Sequence, residues 1–574
     1  MDFNTLRKQA KKYSATETGK TVRVAVLANH ASQFLTKSVQ YQAKINNLNI
    51  ELYEADYNQI QSTIVNPNSE MYAFKPDYVY ISHSARKLIP RFYGLDAAGK
   101  RAFASEFVSE LGSLVDLLAS RAGCQVIVSN LEEIDDSVFG SLGSTTVSSL
   151  LYQLRVINTQ LRTLCMENRY LHLADVQSLI LRKGYEQAFS PQQYITADLT
   201  FSTDFTVLLG EQLVQLLKAF TGDIKKCLIL DLDNTLWGGI IGDDGLENIQ
   251  LGDLGIGKAF SDLQKWAKQL KNRGIILAVC SKNQEMLAKE PFEKHPDMAL
   301  SLDDIAVFVA NWSNKADNIR YIKEVLNIGY DSMVFLDDNP AERDIVKGEL
   351  PEVSVPDLPG DPAEYLPFLM NLNLFETISY SENDSDRTRQ YQEEAKRKAL
   401  SKSFTDMSGF LDSLDMKGTF EPFSDFDIAR IAQLTQRSNQ FNLRTVRYTD
   451  SEIADIREGE NSIGFSVKLS DKFGDYGLIS VLIGRKQSEE ELFIDTWIMS
   501  CRVLERGVEK YVLNRLVDEV KKLGFKSIVG EYLPTRKNGL VKDHYHNLGF
   551  VQKENLWYLD LNSYQGFDVS ITMA

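Results

Sequence analysis

Asp231 and Asp233 stand two residues apart at the end of an apolar run, Cys227–Leu230. Residues at that spacing share one face of a strand, so both carboxylates can point the same way. An Asp-x-Asp after a strand can be nothing more than a polar turn, and its company downstream is what sets this one apart. A second apolar run, 275–280, ends in Ser281-Lys282-Asn283, and a third, Met333–Leu336, ends in Asp337-Asp338-Asn339-Pro340. Lys315 stands between these two runs, in Asn314-Lys315-Ala316-Asp317. Carboxylates gathered at strand ends form a hard oxygen site suited to Mg2+, an ion that keeps some of its waters and binds substrate phosphate. Beside such an ion one carboxylate can attack phosphorus to form an aspartyl-phosphate, and another can move protons. A lysine there offsets phosphoryl charge. Thr235, Asn283 and Asn339 fit equally well as turn residues.

Gathering these side chains requires parallel strands whose carboxyl ends share an edge, the place where open α/β sheets hold their sites. The three runs read as buried strands of that kind. Between Asp231 and Ser281 there is room for a short hairpin, 237–246, and one helix. That helix carries Phe260, Leu263, Ala267 and Leu270 at helical period and closes at Arg273-Gly274. Ser281 to Lys315 leaves no space for an inserted domain. The expected core is therefore capless and open, suited to a large substrate or to a roof from a neighbouring domain.

Three strands ending in polar residues, with a lysine before the third, resemble the haloacid-dehalogenase-like (HAD) phosphotransferases. The resemblance implies Asp231 as nucleophile, Asp233 as general acid/base, Ser281 as a phosphoryl hydrogen-bond donor and Lys315 as the charge-neutralising group. It also implies a Mg2+ site of Asp231, Asp233, Asp337 and Asp338, with Asp338 a direct ligand. Around 230–245, Leu-Asp-Leu-Asp-Asn-Thr-Leu-Trp-Gly-Gly-Ile-Ile-Gly-Asp-Asp-Gly is similar to the FkbH-like branch, as are Cys280-Ser281-Lys282-Asn283 and Asn311-Trp312-Ser313-Asn314-Lys315. Thr235, Trp237, Gly238, Gly239 and Asn283 are then the expected substrate-contacting set. The two glycines would let a flap backbone approach phosphate, or would simply make the hairpin turn.

With 574 residues the chain is too long for one core. Its 63 basic and 79 acidic residues give a net charge of −16, which argues against a nucleic-acid surface. The cysteines at 124, 165, 227, 280 and 501 lack the spacing of a zinc site or a disulfide framework, and the histidines show no metal-ligand spacing. No apolar run approaches membrane-spanning length and 1–12 has no signal-peptide core, so a cytoplasmic protein without membrane partners is expected. Residues 1–221 alternate strands and helices in a doubly wound pattern similar to SGNH-hydrolase-like domains. Where active members carry Gly-Asp-Ser this chain reads Ala28-Asn29-His30, so an inactive module is expected, although a triad of Ser32, Asp198 and His172 can be drawn. The HAD core occupies 222–370. A polar stretch, 371–400, reads as a solvated connecting helix lying against a domain seam.

Residues 401–574 read as an α+β domain, with alternating strands near 463–469, 478–483 and 491–498, a helix over 507–523, a strand at 526–530 and a helix over 538–548. The order is similar to the acetyltransferase (GNAT) fold, whose pyrophosphate loop binds at a helix start. Here that loop reads Arg502-Val503-Leu504-Glu505-Arg506-Gly507, with a glutamate in place of a glycine, so acetyl transfer is not expected. The segments 433–442 and 499–504 also look like the FkbH branch. Members of that branch are implied to take 1,3-bisphosphoglycerate and load a glyceryl unit onto an acyl carrier protein, and Cys501 is the candidate acyl-carrying thiol. The competing expectations are simple hydrolysis of a phosphomonoester, such as a sugar phosphate in polysaccharide biosynthesis, and a scaffold that binds a partner without catalysis.

Overall fold

Apolar runs bounded by polar residues become strands buried on both faces. The computed structural model describes residues 1–13, 21–380, 387–401, 404, 406–535 and 537–574. It divides into two units, Met1–Lys218 and Ala219–Ala574.

In the first unit β1 (Val22–Ala28), β2 (Ile50–Glu54), β3 (Tyr78–Ser82), β4 (Gln125–Ser129) and β5 (Leu171–Ala174) form one parallel sheet in the order β2-β1-β3-β4-β5. The order reverses between β1 and β3, the mark of a doubly wound sheet. Val79, Ile81, Val126 and Val128 meet Phe103 to Leu118 of the helix Ala97–Ala122 and Leu154, Ile157 and Leu161 of the helix Leu150–Glu167. The second helix starts at Leu150 because the Ser149 side chain accepts the Tyr152 amide as an N-cap. Strand β2 is half-exposed and carries Glu51 and Glu54, so it lacks the apolar run that marks its neighbours.

In the second unit β6 (Cys227–Leu230), β7 (Ile276–Ser281), β8 (Val307–Ala310) and β9 (Met333–Leu336) are parallel in the order β8-β7-β6-β9. Alternate residues face opposite layers. Leu228, Leu230, Leu277 and Val279 pack on Phe260, Leu263 and Ala267 of the helix Gly257–Asn272. Cys227, Ile229, Ile276 and Ala278 pack on Ile319, Ile322 and Val325 of the helix Lys315–Leu326. The 237–246 segment is a flap rather than a plain hairpin. One antiparallel bridge, Gly238 to Gln250, closes it, and the one-turn helix Ile241–Asp244 forms its tip.

The rest of this unit is an eight-stranded mixed sheet. Its strands are β10 (Met416–Pro422), β11 (Ser462–Asp471), β12 (Gly474–Lys486), β13 (Glu491–Met499), β14 (Ser527–Glu531), β15 (Val551–Lys553), β16 (Leu556–Asp560) and β17 (Ile571–Met573), in the order β15-β16-β14-β13-β12-β11-β10-β17. Only β13–β14 and β10–β17 pair in parallel. The helix Val508–Lys522 covers one face with Val508, Val512, Leu516 and Val520. Ile431 and Ala432 of one helix (Ile428–Arg437) and Ile453 and Ile456 of another (Asp450–Glu458) cover the other. Residues 538–548 form two short turns, Gly539–Val541 and His544–Asn547, instead of one helix. The Asn538 side chain donates to Asn442 and Leu533 carbonyls and ties the chain down there.

The connecting segment corrects the expectation of a solvated helix. In Arg387–Ser401, Thr388, Tyr391 and Arg397 are buried. The Arg397 guanidinium pairs with Asp471 on β11 at 2.7 Å, and Arg506 pairs with Glu394 at 2.6 Å. Tyr391 packs among the apolar residues behind β7 and β9. Arg397 and Glu394 are thus polar because they meet complementary charge.

Candidate active site

The carboxyl ends of β6, β7 and β9 bring Asp231, Asp233, Ser281, Asp337 and Asp338 to one edge, and Lys315 enters from the first turn of its helix. Asn314 caps that helix by accepting the Ala316 amide at 2.8 Å, which fixes where Lys315 leaves the backbone. Its ammonium lies 2.8 Å from Asp231 and is bonded to Asp337, and it is only 3% exposed. Burial opposes its charge, but the Asp231 and Asp337 carboxylates outweigh burial and hold its pKa above the usual lysine value.

Among the described residues, Asp231, Asp337 and Asp338 form a group whose ligand atoms lie within 4.8 Å of one another. Burial raises all three carboxyl pKa values. Lys315 opposes this at each, whereas the neighbouring carboxylates reinforce it. Four carboxylates, counting Asp233, face a single ammonium here. Their excess negative charge in a half-dry site fits a divalent cation with oxygen ligands.

The Asp233 carboxylate, also offered as a ligand by the sequence, stands outside that group. One oxygen accepts the Trp237 indole N–H at 2.9 Å and the Ile241 amide at 3.0 Å; the other accepts the Asn283 amide at 3.1 Å. Burial pushes its pKa up, against the pull of the Ile241 amide, the Trp237 indole and the Lys315 charge. Trp237 and Asn283 were expected to contact substrate. Trp237 is fully enclosed against Phe292, and both residues spend a polar group on Asp233. Gly239 has φ +94, and a Cβ there would meet Asp244 Oδ2 at 2.6 Å; a Cβ on Gly238 would press on Gln250 and Phe260 at 2.9 Å. Both glycines are therefore required by the flap itself. Asn234, at φ +55, accepts the Gly239 amide at 3.0 Å. Thr235 accepts the Asp338 amide at 3.1 Å, and Asn339 caps the helix Pro340–Glu349. Ser281 is 2% exposed at the end of β7.

Two residues that sequence reasoning missed hold this edge together. Arg343, 6% exposed, donates to the Asp337 and Asp338 carbonyls at 2.8 and 2.7 Å. Lys282 pairs with Glu342 at 2.6 Å and so ties the end of β7 to the helix after β9. The only available signal was position, one helical turn beyond Asp338, because no local pattern marks a side chain that bonds backbone carbonyls.

The other candidates are not assembled. Ser32 donates to Glu54 at 2.6 Å, His172 is bonded to Gln125 at 2.8 Å, and Asp198 pairs with Lys87 and accepts the Tyr57 hydroxyl. No triad geometry links them. In the 502–507 loop, Arg502 bonds Ser500 and Gln390 and Arg506 bonds Glu394 and Tyr476, so both cations turn into the protein. Cys501 opens the turn after β13, and its side chain lies outside the described ones.

A parallel sheet carrying Asp-x-Asp, Ser, Lys and Asp-Asp at its carboxyl edge defines a HAD-type hydrolase or phosphotransferase core. The crystal structure of the N-terminal part of BF1531 from Bacteroides fragilis, described as containing a phosphatase domain complexed with Mg, is 45% identical, with a TM-score of 0.63. The match covers 66% of this chain and 100% of that one. The family described as "FkbH, N-terminal domain" matches residues 23–218. The chain thus belongs to the family that BF1531 represents, with an FkbH N-terminal domain and a HAD-type phosphatase core. The ribosomal-protein-S18-alanine N-acetyltransferase from Escherichia coli is also similar, at 17% identity and a TM-score of 0.21, over 26% of this chain and 98% of that one. So is spermidine/spermine N-acetyltransferase SpeG from Vibrio cholerae, at 14% and 0.21, over 26% of this chain and 96% of that one. No curated protein sequence matches the chain. Among the described residues no helix is long and apolar enough to cross a membrane.

Proposed function

We propose that the second unit is a Mg2+-dependent phosphotransferase that works through an aspartyl-phosphate on Asp231. The observation that carries this is the three-carboxylate group of Asp231, Asp337 and Asp338 built around one buried lysine. Asp231, Asp337 and Asp338 would hold the ion, which when bound supplies charge stabilisation to the phosphoryl oxygens. Asp231 attacks phosphorus, and the bond from phosphorus to the leaving oxygen breaks. Asp233, held in place by Trp237, the Ile241 amide and Asn283, gives that oxygen its proton and later takes one from the attacking water. Lys315 offsets charge on the nucleophile and the phosphoryl group, and Ser281 bonds the phosphoryl oxygens.

As the finer reading, the substrate is 1,3-bisphosphoglycerate and the product a glyceryl unit on an acyl carrier protein. Loading glyceryl requires the loss of both phosphates. The ester phosphate leaves by attack of Asp231. The acyl phosphate is a mixed anhydride, so a thiol can attack its carbonyl carbon with inorganic phosphate departing; Cys501 is the thiol we assign to that step, and a thiol of the carrier then attacks the Cys501 thioester, taking the acyl group and releasing Cys501 as the thiol. The match of residues 23–218 to the FkbH N-terminal domain is what supports this reading.

The test is phosphate release from 1,3-bisphosphoglycerate and a panel of phosphomonoesters, with Mg2+, with and without an acyl carrier protein, beside Asp231→Asn. Phosphate together with a glyceryl mass increase on the carrier supports loading, and a Cys501→Ala variant that still loads removes Cys501. Release from sugar phosphates that ignores the carrier points to a phosphomonoesterase. No release from any substrate by the wild type overturns the catalytic reading in favour of a scaffold.

A further inference from the structure

Lys315 is the first residue of its helix, Lys315–Leu326. Helix ends fray, because their first amides have no partner inside the helix. That is an unsteady place for an ammonium that has to stay on both Asp231 and Asp337. The Asn314 side chain meets one of those amides, at Ala316, but Asn314 belongs to the same helix end. A restraint from outside the turn is needed.

Asn318 stands one turn into the helix and is 5% exposed. Side chains on a helix lean back over the preceding turn, so its amide group is directed towards the chain that leads into Lys315. There it meets Asn311. The Asn318 side-chain amide donates to Asn311 Oδ1 at 2.9 Å, and the Asn311 side-chain amide donates to Asn318 Oδ1 at 3.2 Å. Asn311 Oδ1 also accepts the Ser313 backbone amide at 2.9 Å, which settles which end of that group is the oxygen. On its other side Asn311 is tied to the sheet. Its backbone amide donates to the Ser281 carbonyl at 3.2 Å, just past the pairing of Ala310 with Ser281. An asparagine turn accounts for the Ser313 bond alone. It does not account for Asn318, a poor helix former whose buried amide is met from Asn311 on both its polar atoms. The Cys280 thiol, 3.7 Å from the Lys315 carbonyl, and the Phe335 ring, 5.7 Å from the ammonium, orient Lys315 once this turn is in place.

We propose that the Asn311–Asn318 pair is the positioning element of Lys315. It locks the first turn of the helix to the end of β7, so that Lys315 and Ser281 are held in one register towards a phosphoryl group. Both asparagines act through Lys315 and are positioning residues. The catalytic consequence rests on the phosphotransferase reading, whereas the restraint on Lys315 does not.

The test has two readouts on the full chain, with Asn318→Leu and, should that variant fail to fold, Asn311→Ala. The first is brief labelling with acetic anhydride, followed by peptide mass spectrometry. Lys315 should be labelled about fivefold faster or more in the variant, the factor of one lost hydrogen bond, with Lys323 on the same helix unchanged. The second is kcat for phosphate release, which should fall about tenfold or more, within the reach of a displacement of up to ~1 Å. On a Lys315→Met background the same substitution should change kcat by no more than about twofold, the usual limit of additivity. An equal fall on both backgrounds would assign the pair to general stability and overturn the proposal. Unchanged Lys315 labelling overturns it as well. Labelling decides the matter even where the wild type releases no phosphate from any ester, an outcome that sinks the phosphotransferase reading alone.

Discussion

At the carboxyl edge of β1, β3 and β4 the polar side chains close on one another. Asn29 accepts the Ser84 amide at 2.8 Å, His30 bonds Ser82 at 2.9 Å, Ser84 donates to Glu132 and Asn130 to Asp175. The corresponding edge of β6, β7 and β9 does the opposite. There four carboxylates crowd one ammonium, and their pKa values rise because burial and like charge outweigh Lys315. Both edges are built by the same parallel architecture. Hydrogen-bond pairing makes the first a largely finished network, whereas the second keeps an excess of negative charge that only a cation from outside can relieve. That excess, rather than polarity at strand ends, is what distinguishes a phosphoryl-transfer site.

The sharpest break in this contrast is removal of the nucleophile. Asp231→Asn should lower phosphate release by at least ~10³-fold, as losses of a covalent nucleophile do, with thermal stability little reduced because one like charge is gone. Lys315→Met acts on the same balance from the other side. It should cost ~10²–10³ in rate and leave Asp231 and Asp337 facing each other without their cation. Breaking such a buried pair costs about 3–5 kcal/mol. The melting temperature should therefore fall in EDTA and recover in part with Mg2+, and a melting temperature indifferent to Mg2+ would count against the shared-ion reading.

The gathering of carboxylates and Lys315 at the edge of β6, β7 and β9 was legible in the sequence because its strands are uniform apolar runs that end in those polar residues. The apolar runs of β1, β3 and β4 were legible in the same way. What escaped was set by partners far along the chain. β2 is half-exposed and carries Glu51 and Glu54 in place of an apolar run. Arg397 looked like solvated charge because Asp471, which buries it, is 74 residues away. Trp237 was taken for a substrate contact because its spacing to Asp233 says nothing about where the indole points; the flap folds it inward.

A smaller effect is expected at the turn that carries the metal-site carboxylates. Arg343→Lys cannot bond both the Asp337 and Asp338 carbonyls as the guanidinium does. Mg2+ affinity measured by calorimetry should weaken about tenfold, the low end for a residue that orients metal ligands. Unchanged affinity would assign Arg343 to packing alone. Acid should separate the two edges further. Burial holds His30, His83 and His172 at about 4, below their ordinary 6.5. The unfolded chain then binds protons first, so their contribution is complete above pH 6.5 and is lost as the pH falls towards 4. Hydrogen exchange in β3 and β4 should accelerate across that window, and His30→Gln should flatten the dependence. Tryptophan fluorescence cannot report it, since all five tryptophans lie beyond residue 218.

The smallest effect is expected where a triad could be drawn but none is built. Ser32→Ala removes a hydrogen bond to Glu54, worth about 1 kcal/mol. His172→Gln leaves an amide able to meet Gln125. Neither change touches the carboxylates around Lys315, so phosphate release should stay within twofold or so of wild type, the noise of about 0.4 kcal/mol. Hydrolysis of p-nitrophenyl acetate should be the same for both variants and the parent. A clear fall in that esterase activity on Ser32→Ala would mean that the first edge opens in solution and exposes a nucleophile, and the finished network would then be one state of that edge rather than its only one.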